Sequence, residues 1–371
     1  MEFRNLKAQY RFLKQEIDDA IAGVLESGRF IGGPEVDSLE HELAAYVGAK
    51  HCVSCGNGTD ALQLALMAWG IGSGDAVIVP DFTFFSSGEV VSAVGATPVF
   101  VDVLEETFNI DPALIAPACE FARKNGLNPK AVVAVDLFGQ PADYPKIQQI
   151  CQEQGILLLE DGAQGFGGAI DGKHACSFGD ISTTSFFPAK PLGCYGDGGA
   201  VFTDNDEWAE LLRSYAVHGK GSMKYDNVRV GMNSRLDTIQ AAILRVKLRA
   251  FVDHELDDVN ERAAWYGELL AWSNLGLPSL QNGFTSSWAQ YTVVLPQDVD
   301  RADLQNHMRD YAAPTNVYYP KPMHEQPAFA GRSLVLPCPV TERLYKTVLS
   351  LPMGPYLSVD ELRAVVQALP L

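Results

Sequence analysis

The sequence predicts an α/β protein whose larger part is a mostly parallel, seven-stranded sheet with helices on both faces. From about residue 51 to residue 203, short apolar runs alternate with segments of helical periodicity, which is the pattern of repeated strand–helix units. The run Ile156–Glu160 is apolar until it ends in an acid, as expected of a buried parallel strand that reaches a ligand site. With 371 residues, the chain is long enough for a second, smaller C-terminal α/β domain.

The predicted elements follow one another with little interruption. Two helices come first, one up to about Gly28 and one from Glu35 to Val47, because apolar residues recur there with helical spacing. The seven predicted strands are His51–Ser54, Ala76–Val79, Pro98–Val101, Ala131–Val135, Ile156–Glu160, Ile181–Ser185 and Gly199–Thr203. The helices predicted among them are Thr59–Trp69, Phe85–Val94, Pro112–Lys124, Asp143–Gln154 and Asp206–Tyr215.

A long helix predicted at about 235–271 contains no proline and leads into the second domain. We place the boundary between a large domain, 1–245, and a small domain, 246–371. The elements predicted in the small domain are strands Gln290–Leu295 and Thr315–Tyr319, helix Arg301–Tyr311, and helices at 339–350 and 358–369.

The composition excludes several classes of protein. The 28 Lys and Arg residues stand against 46 Asp and Glu, so the net charge is −18, and nucleic-acid binding is not expected. An anionic substrate would depend on local cations, because the overall field repels it. No apolar run approaches the ~18 residues that span a bilayer, and the start lacks a signal-peptide core, so a cytoplasmic location is expected. The seven cysteines are expected to be reduced, and no metal site is expected, because Cys52 and Cys55 have no second pair.

Lys190 stands in a segment that is unusual for a surface loop. Pro188 and Pro191 flank it and restrict the backbone, and glycines at 193, 196, 198 and 199 allow close approach to a ligand. Burial would lower the pKa of this lysine and make its neutral amine a nucleophile that forms Schiff bases. The alternative is a surface lysine that happens to lie between prolines.

Asp161 follows the apolar strand Ile156–Glu160, so its carboxylate is predicted at the carboxyl end of a buried strand. A buried carboxylate needs a cationic partner. The pyridinium nitrogen of pyridoxal phosphate is such a partner, and an aspartate that faces it is a recurring feature of enzymes with this cofactor.

The segment Gly56–Ala61 follows a strand and opens a helix, where backbone amides bind phosphate and the Thr59 hydroxyl can add a contact. The same residues match the dinucleotide pattern G-x-G-x-x-A. That interpretation is weaker, because two helices precede the unit and Lys190 and Asp161 would stay unexplained. A helix cap without any ligand is the third possibility.

Four segments together resemble the DegT-type sugar aminotransferases, which are pyridoxal-phosphate enzymes of the aspartate aminotransferase superfamily with fold type I. These segments are Ser54–Leu62, Glu160–Gln164, Ser182–Ala200 and Val230–Gln240. The resemblance extends over essentially the whole chain, and it is strongest to the branch that acts on UDP-linked 3-oxo-N-acetylglucosaminuronate. It implies a homodimer with shared active sites that moves an amino group from L-glutamate to a nucleotide-linked keto-sugar.

The resemblance also assigns roles to residues. Lys190 would form the Schiff base with the cofactor and carry protons, Asp161 would face the pyridine nitrogen, and Gln164 would contact the 3-oxygen of the ring. Phe84 would stack on the ring, although a purely structural role in the core is the alternative. The residues expected around the cofactor phosphate are Gly58, Thr59, Asp60, Ser185 and, from the opposite subunit, Asn233.

Arg235, Tyr318 and Tyr319 are the expected substrate contacts. Arg235 could bind a carboxylate or phosphate through two parallel hydrogen bonds, and an ordinary ion pair with Asp237 or another acid at the start of the helix is the alternative. Tyr318 stands where the most similar branch commonly has histidine, which puts the identity of the sugar in question.

Three other functions stay open from the sequence. The first is a pyridoxal-dependent sugar dehydratase, although the dehydratases of this family replace the lysine by histidine. The second is a nicotinamide-dependent sugar enzyme that uses Gly56–Ala61. The third is a non-catalytic relative, which would be expected to lack Lys190 or Asp161, and both residues are present.

Overall fold

A computed structural model describes residues 1–223 and 225–370. Its helices are α1 (Leu6–Ser27), α2 (Pro34–Val47), α3 (Gly58–Ala68), α4 (Ser86–Ala93), α5 (Ile115–Lys124), α6 (Tyr144–Gln154), α7 (Asp206–Ala216), α8 (Thr238–Ala250), α9 (Leu256–Leu270), α10 (Arg301–Asp310), α11 (Pro339–Thr347) and α12 (Val359–Gln367). Its strands are β1 (His51–Cys55), β2 (Asp75–Pro80), β3 (Thr97–Val101), β4 (Asn128–Val135), β5 (Leu157–Asp161), β6 (Ala169–Ile170), β7 (Lys173–His174), β8 (Ile181–Ser185), β9 (Gly199–Thr203), β10 (Phe284–Thr285), β11 (Tyr291–Val294), β12 (Leu334–Val335) and β13 (Val348–Leu351).

The central sheet has the strand order β1-β9-β8-β5-β4-β2-β3-β12. The pairs from β8 through β5, β4, β2 and β3 to β12 are parallel, whereas β9 runs antiparallel to both β8 and β1. Strands β2, β4, β5 and β8 therefore end at one edge of the sheet, which is the edge where α/β proteins bind ligands.

Side chains alternate between two apolar layers along the central strands. Val77 and Val79 pack into a layer with α3, α4 and α7, whereas Ala76 and Ile78 face a layer formed with α5 and α6. This two-sided burial explains why the strands are apolar in sequence without alternation. A separate core fills the C-terminal part, between α9, α10, α12 and the antiparallel pair β11–β13.

All seven predicted strands lie in the central sheet, and the predicted strand count was one short. The eighth strand, Leu334–Val335, pairs in parallel with Val99 and Phe100. It has only two residues, so its sequence carries no periodic signal. The predicted domain boundary at residue 245 falls within α8 and stays a prediction.

Three predictions in the C-terminal part were wrong in detail. The segment 315–319 is not a strand, because only Asn316 pairs there, opposite Ser350. The helix predicted at 339–350 ends at Thr347, since Val348–Leu351 pairs with β11 instead. The long helix at 235–271 is divided by a π-helical turn, Phe251–Glu255, which inserts between α8 and α9 and rotates the face that follows.

Three further findings concern membrane-spanning helices, cysteines and metal-binding groups. No helix within 1–223 and 225–370 combines the length and apolar character needed to cross a membrane. All seven cysteines are buried free thiols. Over the same residues, no group of three or more His, Cys, Asp and Glu side chains is arranged to hold a metal ion.

Candidate active site

A cleft of ≈ 640 Å³ lies at the edge where β5 and β8 end, and its volume is typical of a small-molecule site. Ten of the twelve residues predicted for the site line it: Gly58, Thr59, Asp60, Phe84, Asp161, Gln164, Ser185, Lys190, Tyr318 and Tyr319. Residues that are up to 261 positions apart in sequence are thus brought together by the parallel strands and by the loop that follows residue 315.

Lys190 lies in a tight loop after β8. Its backbone N–H donates to Phe187 O at 2.8 Å, and Cys194 N–H closes the loop on Phe186 O at 2.8 Å. Burial lowers the pKa of Lys190, and the negative charge of Asp161 acts in the opposite direction. Desolvation is the larger effect, so the environment favours the neutral, nucleophilic amine.

Asp161 is the last residue of β5 and is only 5 % exposed. Ser87 Oγ donates to its Oδ2 at 2.8 Å, and Ala163 N–H donates to its Oδ1 at 3.3 Å. Burial nevertheless raises the pKa of Asp161, against the effects of Ser87, Lys190 and Ala163. A cation placed in the cleft against this carboxylate would stabilise its ionised form.

The N-terminus of α3 meets the end of β8 inside the cleft. Asn57 Oδ1 caps α3 by accepting from Asp60 N–H at 2.8 Å, which leaves the N–H groups of Gly58 and Thr59 directed outward. A Cβ atom at Gly58 would lie 2.6 Å from Ser185 Cβ, so only glycine lets Ser185 come this close. Amides and hydroxyls at a helix N-terminus form a phosphate site.

A second helix N-terminus, that of α4, contributes two serines that the sequence analysis missed. Ser86 Oγ lies 2.7 Å from Thr59 Oγ1, and Ser87 donates to Asp161 as described above. The sequence could have indicated both serines, because they directly follow the Asp81–Phe85 turn at the start of a predicted helix. Asp197 and Gln290 also line the cleft and were not predicted.

The aromatic and amide side chains form one wall of the cleft. Phe84 is 50 % exposed, which contradicts a purely structural role in the core, and its ring centroid lies 6.0 Å from that of Tyr319. Gln164 Nε2 donates to Tyr319 Oη at 3.1 Å, and Gln164 Oε1 accepts from Phe138 N–H at 2.7 Å. One Nε2 hydrogen of Gln164 therefore remains for a ligand oxygen.

Asn233 and Arg235 do not line the cleft of their own chain. Both are exposed, and Arg235 Nη2 donates to Asn233 Oδ1 at 2.7 Å. Between them, buried Ser234 accepts from Gly56 N–H at 2.9 Å and fixes this segment beside the phosphate turn. Within the described residues Arg235 forms no ion pair with Asp237 or another acid at the start of the helix, so the alternative suggested by the sequence was wrong.

Comparisons with known proteins show the family and the fold of this chain. Residues 12–370 match the model of the DegT/DnrJ/EryC1/StrS aminotransferase family. The UDP-2-acetamido-2-deoxy-3-oxo-D-glucuronate aminotransferase of Pseudomonas aeruginosa is 44% identical over 100% of this chain and 99% of that protein. A DegT/DnrJ/EryC1/StrS aminotransferase from Brucella abortus superposes with a TM-score of 0.96 at 44% identity, covering 99% and 98% of the two chains. DesV of S. venezuelae, solved in complex with a ketimine intermediate, gives a TM-score of 0.92 at 39% identity, covering 99% and 96%.

The fold and the cleft therefore define a fold type I aminotransferase. The chain belongs to the DegT/DnrJ/EryC1/StrS aminotransferase family and is a pyridoxal-phosphate-dependent enzyme. Its cleft suits the cofactor, since it combines the amides and hydroxyls of a helix N-terminus, a lysine whose pKa is lowered by burial, and a buried aspartate that has no cation bonded to it within the described residues. The nicotinamide-dependent, dehydratase and non-catalytic functions that the sequence left open do not agree with this assignment as an aminotransferase.

Proposed function

We propose that this enzyme transfers an amino group from L-glutamate to C3 of a UDP-linked 2-acetamido-3-oxo-glucuronate, in the cytoplasm, on a route to a surface polysaccharide. The choice of substrate is supported by one observation. The chain is 44% identical over its full length to the P. aeruginosa enzyme that is named for this activity. The buried thiols and the overall charge of −18 are compatible with a soluble enzyme that does not bind nucleic acid.

The residues of the cleft have different roles in the proposed reaction. Pyridoxal phosphate, when bound, supplies the electron sink and carries the amino group between donor and sugar. With the cofactor bound, Asp161 Oδ would hold the pyridine nitrogen in its protonated form, and the hydroxyls of Thr59, Ser86 and Ser185 would bind the phosphate with the α3 amides. Lys190 Nζ would accept the proton that leaves the donor carbon and deliver it to the cofactor carbon that bears the amino group, because burial favours the neutral form of the amine.

We further propose that each site is completed by a second copy of the chain, which supplies Asn233 and Arg235. Neither side chain lines the cleft of its own chain, and both are exposed. The loop before them exposes apolar residues, with Met223 71%, Tyr225 86% and Val230 91% exposed. Such a patch is typical of a surface that another subunit covers.

Mixed dimers test the shared site. Lys190→Ala and an Asn233→Ala/Arg235→Ala double variant are each expected to be nearly inactive. Co-expressed and purified together without separating the dimers, they should regain about one quarter of wild-type activity, because half of randomly paired dimers are mixed and one of their two sites is intact. A mixture no more active than the sum of its components would mean that Asn233 and Arg235 act in their own chain.

The substrate carboxylate is expected to be bound by Arg235. Arg235→Lys keeps the charge but loses the two parallel hydrogen bonds, so kcat/KM for the uronate should fall about tenfold to hundredfold. The same variant should hardly affect a keto-sugar with a neutral 6-hydroxy or 6-deoxy group.

Steady-state kinetics on both sugars decides between two functions. Equal losses of kcat/KM on the two sugars would mean that Arg235 binds the nucleotide phosphates. Tyr318, which replaces the usual histidine of the branch, would then favour a related neutral 3- or 4-keto sugar as the substrate.

A further inference from the structure

The loop that carries Lys190 is also hydrogen-bonded by two cationic side chains that do not line the cleft. Arg4 Nη2 donates to Lys190 O at 3.1 Å. Lys247 Nζ, on α8 and 1% exposed, donates to Gly193 O in the same loop. Two cations therefore hold two carbonyl groups that lie on either side of Pro191 and Leu192.

Glu255 is the counter-ion of both cations. It is 2% exposed and lies in the π-helical turn Phe251–Glu255. Gln9 Nε2 donates to its two carboxylate oxygens at 2.9 and 3.0 Å, and Tyr356 Oη donates at 2.7 Å. Burial lowers the pKa of Arg4 to about 10 and that of Lys247 to about 8, and the charge of Glu255 opposes both shifts.

A cavity of ≈ 20 Å³ behind the loop is lined by Arg4, Gln9 and Lys190, among others. Within residues 1–223 and 225–370, Arg4 Nη1 and Gln9 Oε1 are buried polar atoms without a hydrogen-bond partner. One is a donor and the other an acceptor, and both belong to residues that line this cavity. A chain of hydrogen bonds and charges runs from Lys190 O through Arg4, Glu255 and Lys247 to Gly193 O, and Gln9 is bonded to Glu255.

We propose that Arg4 is a positioning residue for Lys190, and that it holds the lysine backbone through this chain while its charge faces the same loop. The inference rests on the assignment of Lys190 proposed above. Sequence patterns do not indicate this contact, because Arg4 and Lys190 are 186 positions apart.

The charge of Arg4 has a measurable effect on the pKa of Lys190. Burial lowers this pKa, the charge of Asp161 raises it, and the charge of Arg4 lowers it further. The other titratable groups that face the cleft around Lys190 are Asp60, Asp197, Tyr318 and Tyr319. Removing the charge of Arg4 should therefore raise the pKa of the Lys190 amine and leave these groups in place.

The test uses Arg4→Gln, Arg4→Lys and, as a matched control, Arg249→Gln, which removes an exposed arginine paired with Glu16. In Arg4→Gln, kcat should fall about tenfold to hundredfold with little change in the KM of the keto-sugar, as expected when a reacting group is displaced. In the apoenzyme, the rate of reconstitution with pyridoxal phosphate should rise with pH at a higher midpoint than in wild type. Arg4→Lys should keep the wild-type midpoint but lose part of kcat, and Arg249→Gln should match wild type in both.

Wild-type kcat together with an unchanged reconstitution midpoint in Arg4→Gln would overturn the proposal. If Arg4→Gln does not fold, Arg4→Lys decides alone, since full kcat in that variant would equally exclude a positioning role. Lys190→Ala serves as the reference. An inactive Lys190→Ala beside fully active Arg4 variants would reject the role of Arg4 and leave the proposed function intact.

Discussion

Lys190→Ala is expected to abolish transamination, with a loss of at least about 10⁴-fold in kcat, because one amine both binds the cofactor and moves the proton. The protein should still fold, since the loop is held through backbone carbonyls of Lys190 and Gly193 that the substitution keeps. Treatment of wild type with borohydride should attach the cofactor covalently, and mass spectrometry should locate it on Lys190. The variant should show no attachment.

The control for this experiment is Lys247→Ala. Lys247 is also buried, but it faces Gly193 O rather than the cleft. That variant should still be labelled after borohydride reduction, at Lys190. Covalent attachment that persists in Lys190→Ala would contradict the assignment of the reactive lysine.

Asp161→Asn should slow both half-reactions by about 10²–10³-fold, because the ring nitrogen loses the anion that keeps it protonated. Cofactor should remain bound through the phosphate site at the N-terminus of α3. Stopped-flow absorbance with L-glutamate, and then with the keto-sugar, measures the two rates separately.

The stability of the apoprotein separates this role from a structural one. Burial raises the pKa of Asp161, so its ionised form is less stable in the folded protein than in the unfolded chain. The contribution of Asp161 to folding therefore decreases as pH rises from its unfolded pKa through its folded pKa. At neutral pH the melting temperature of apo Asp161→Asn should be no lower than that of wild type. A large drop in melting temperature with unchanged half-reaction rates would show that Asp161 serves the fold.

Much of the central sheet with its helices was predictable because local pattern and tertiary environment agree there. Strands such as Ala131–Val135 are buried on both faces and read as continuous apolar runs. The C-terminal part was less predictable, since the pairing of Val348–Leu351 with β11 overrides a helical pattern. Strand Leu334–Val335 exists only because β3 offers a free edge.

The residues of the site also differ in whether the sequence could predict them. Lys190 and Asp161 were predicted from their own segments, since prolines, glycines and a strand end mark them locally, and both line the cleft. Ser86 and Ser87 follow the Asp81–Phe85 turn at the start of a predicted helix, but their contacts with Thr59 and Asp161 depend on tertiary structure. The proposed roles of Arg4 and Glu255 could not be predicted from the sequence. Arg4 contacts a loop that is distant in sequence, and Glu255 lies in a π-helical turn that has no clear sequence pattern.

The central claim is that the Lys190 cleft aminates a UDP-linked 3-oxo-uronate. The direct measurement starts from enzyme that L-glutamate has converted to its pyridoxamine phosphate form, freed of excess donor. UDP-2-acetamido-3-oxo-glucuronate, its neutral 6-hydroxy analogue and a 6-deoxy-4-oxo nucleotide sugar are then added separately, and absorbance follows the return of the Lys190-linked cofactor. The uronate should regenerate that form fastest, with a 3-amino sugar as the product. Faster regeneration by a neutral sugar, or no regeneration by any of the three, would contradict the claim.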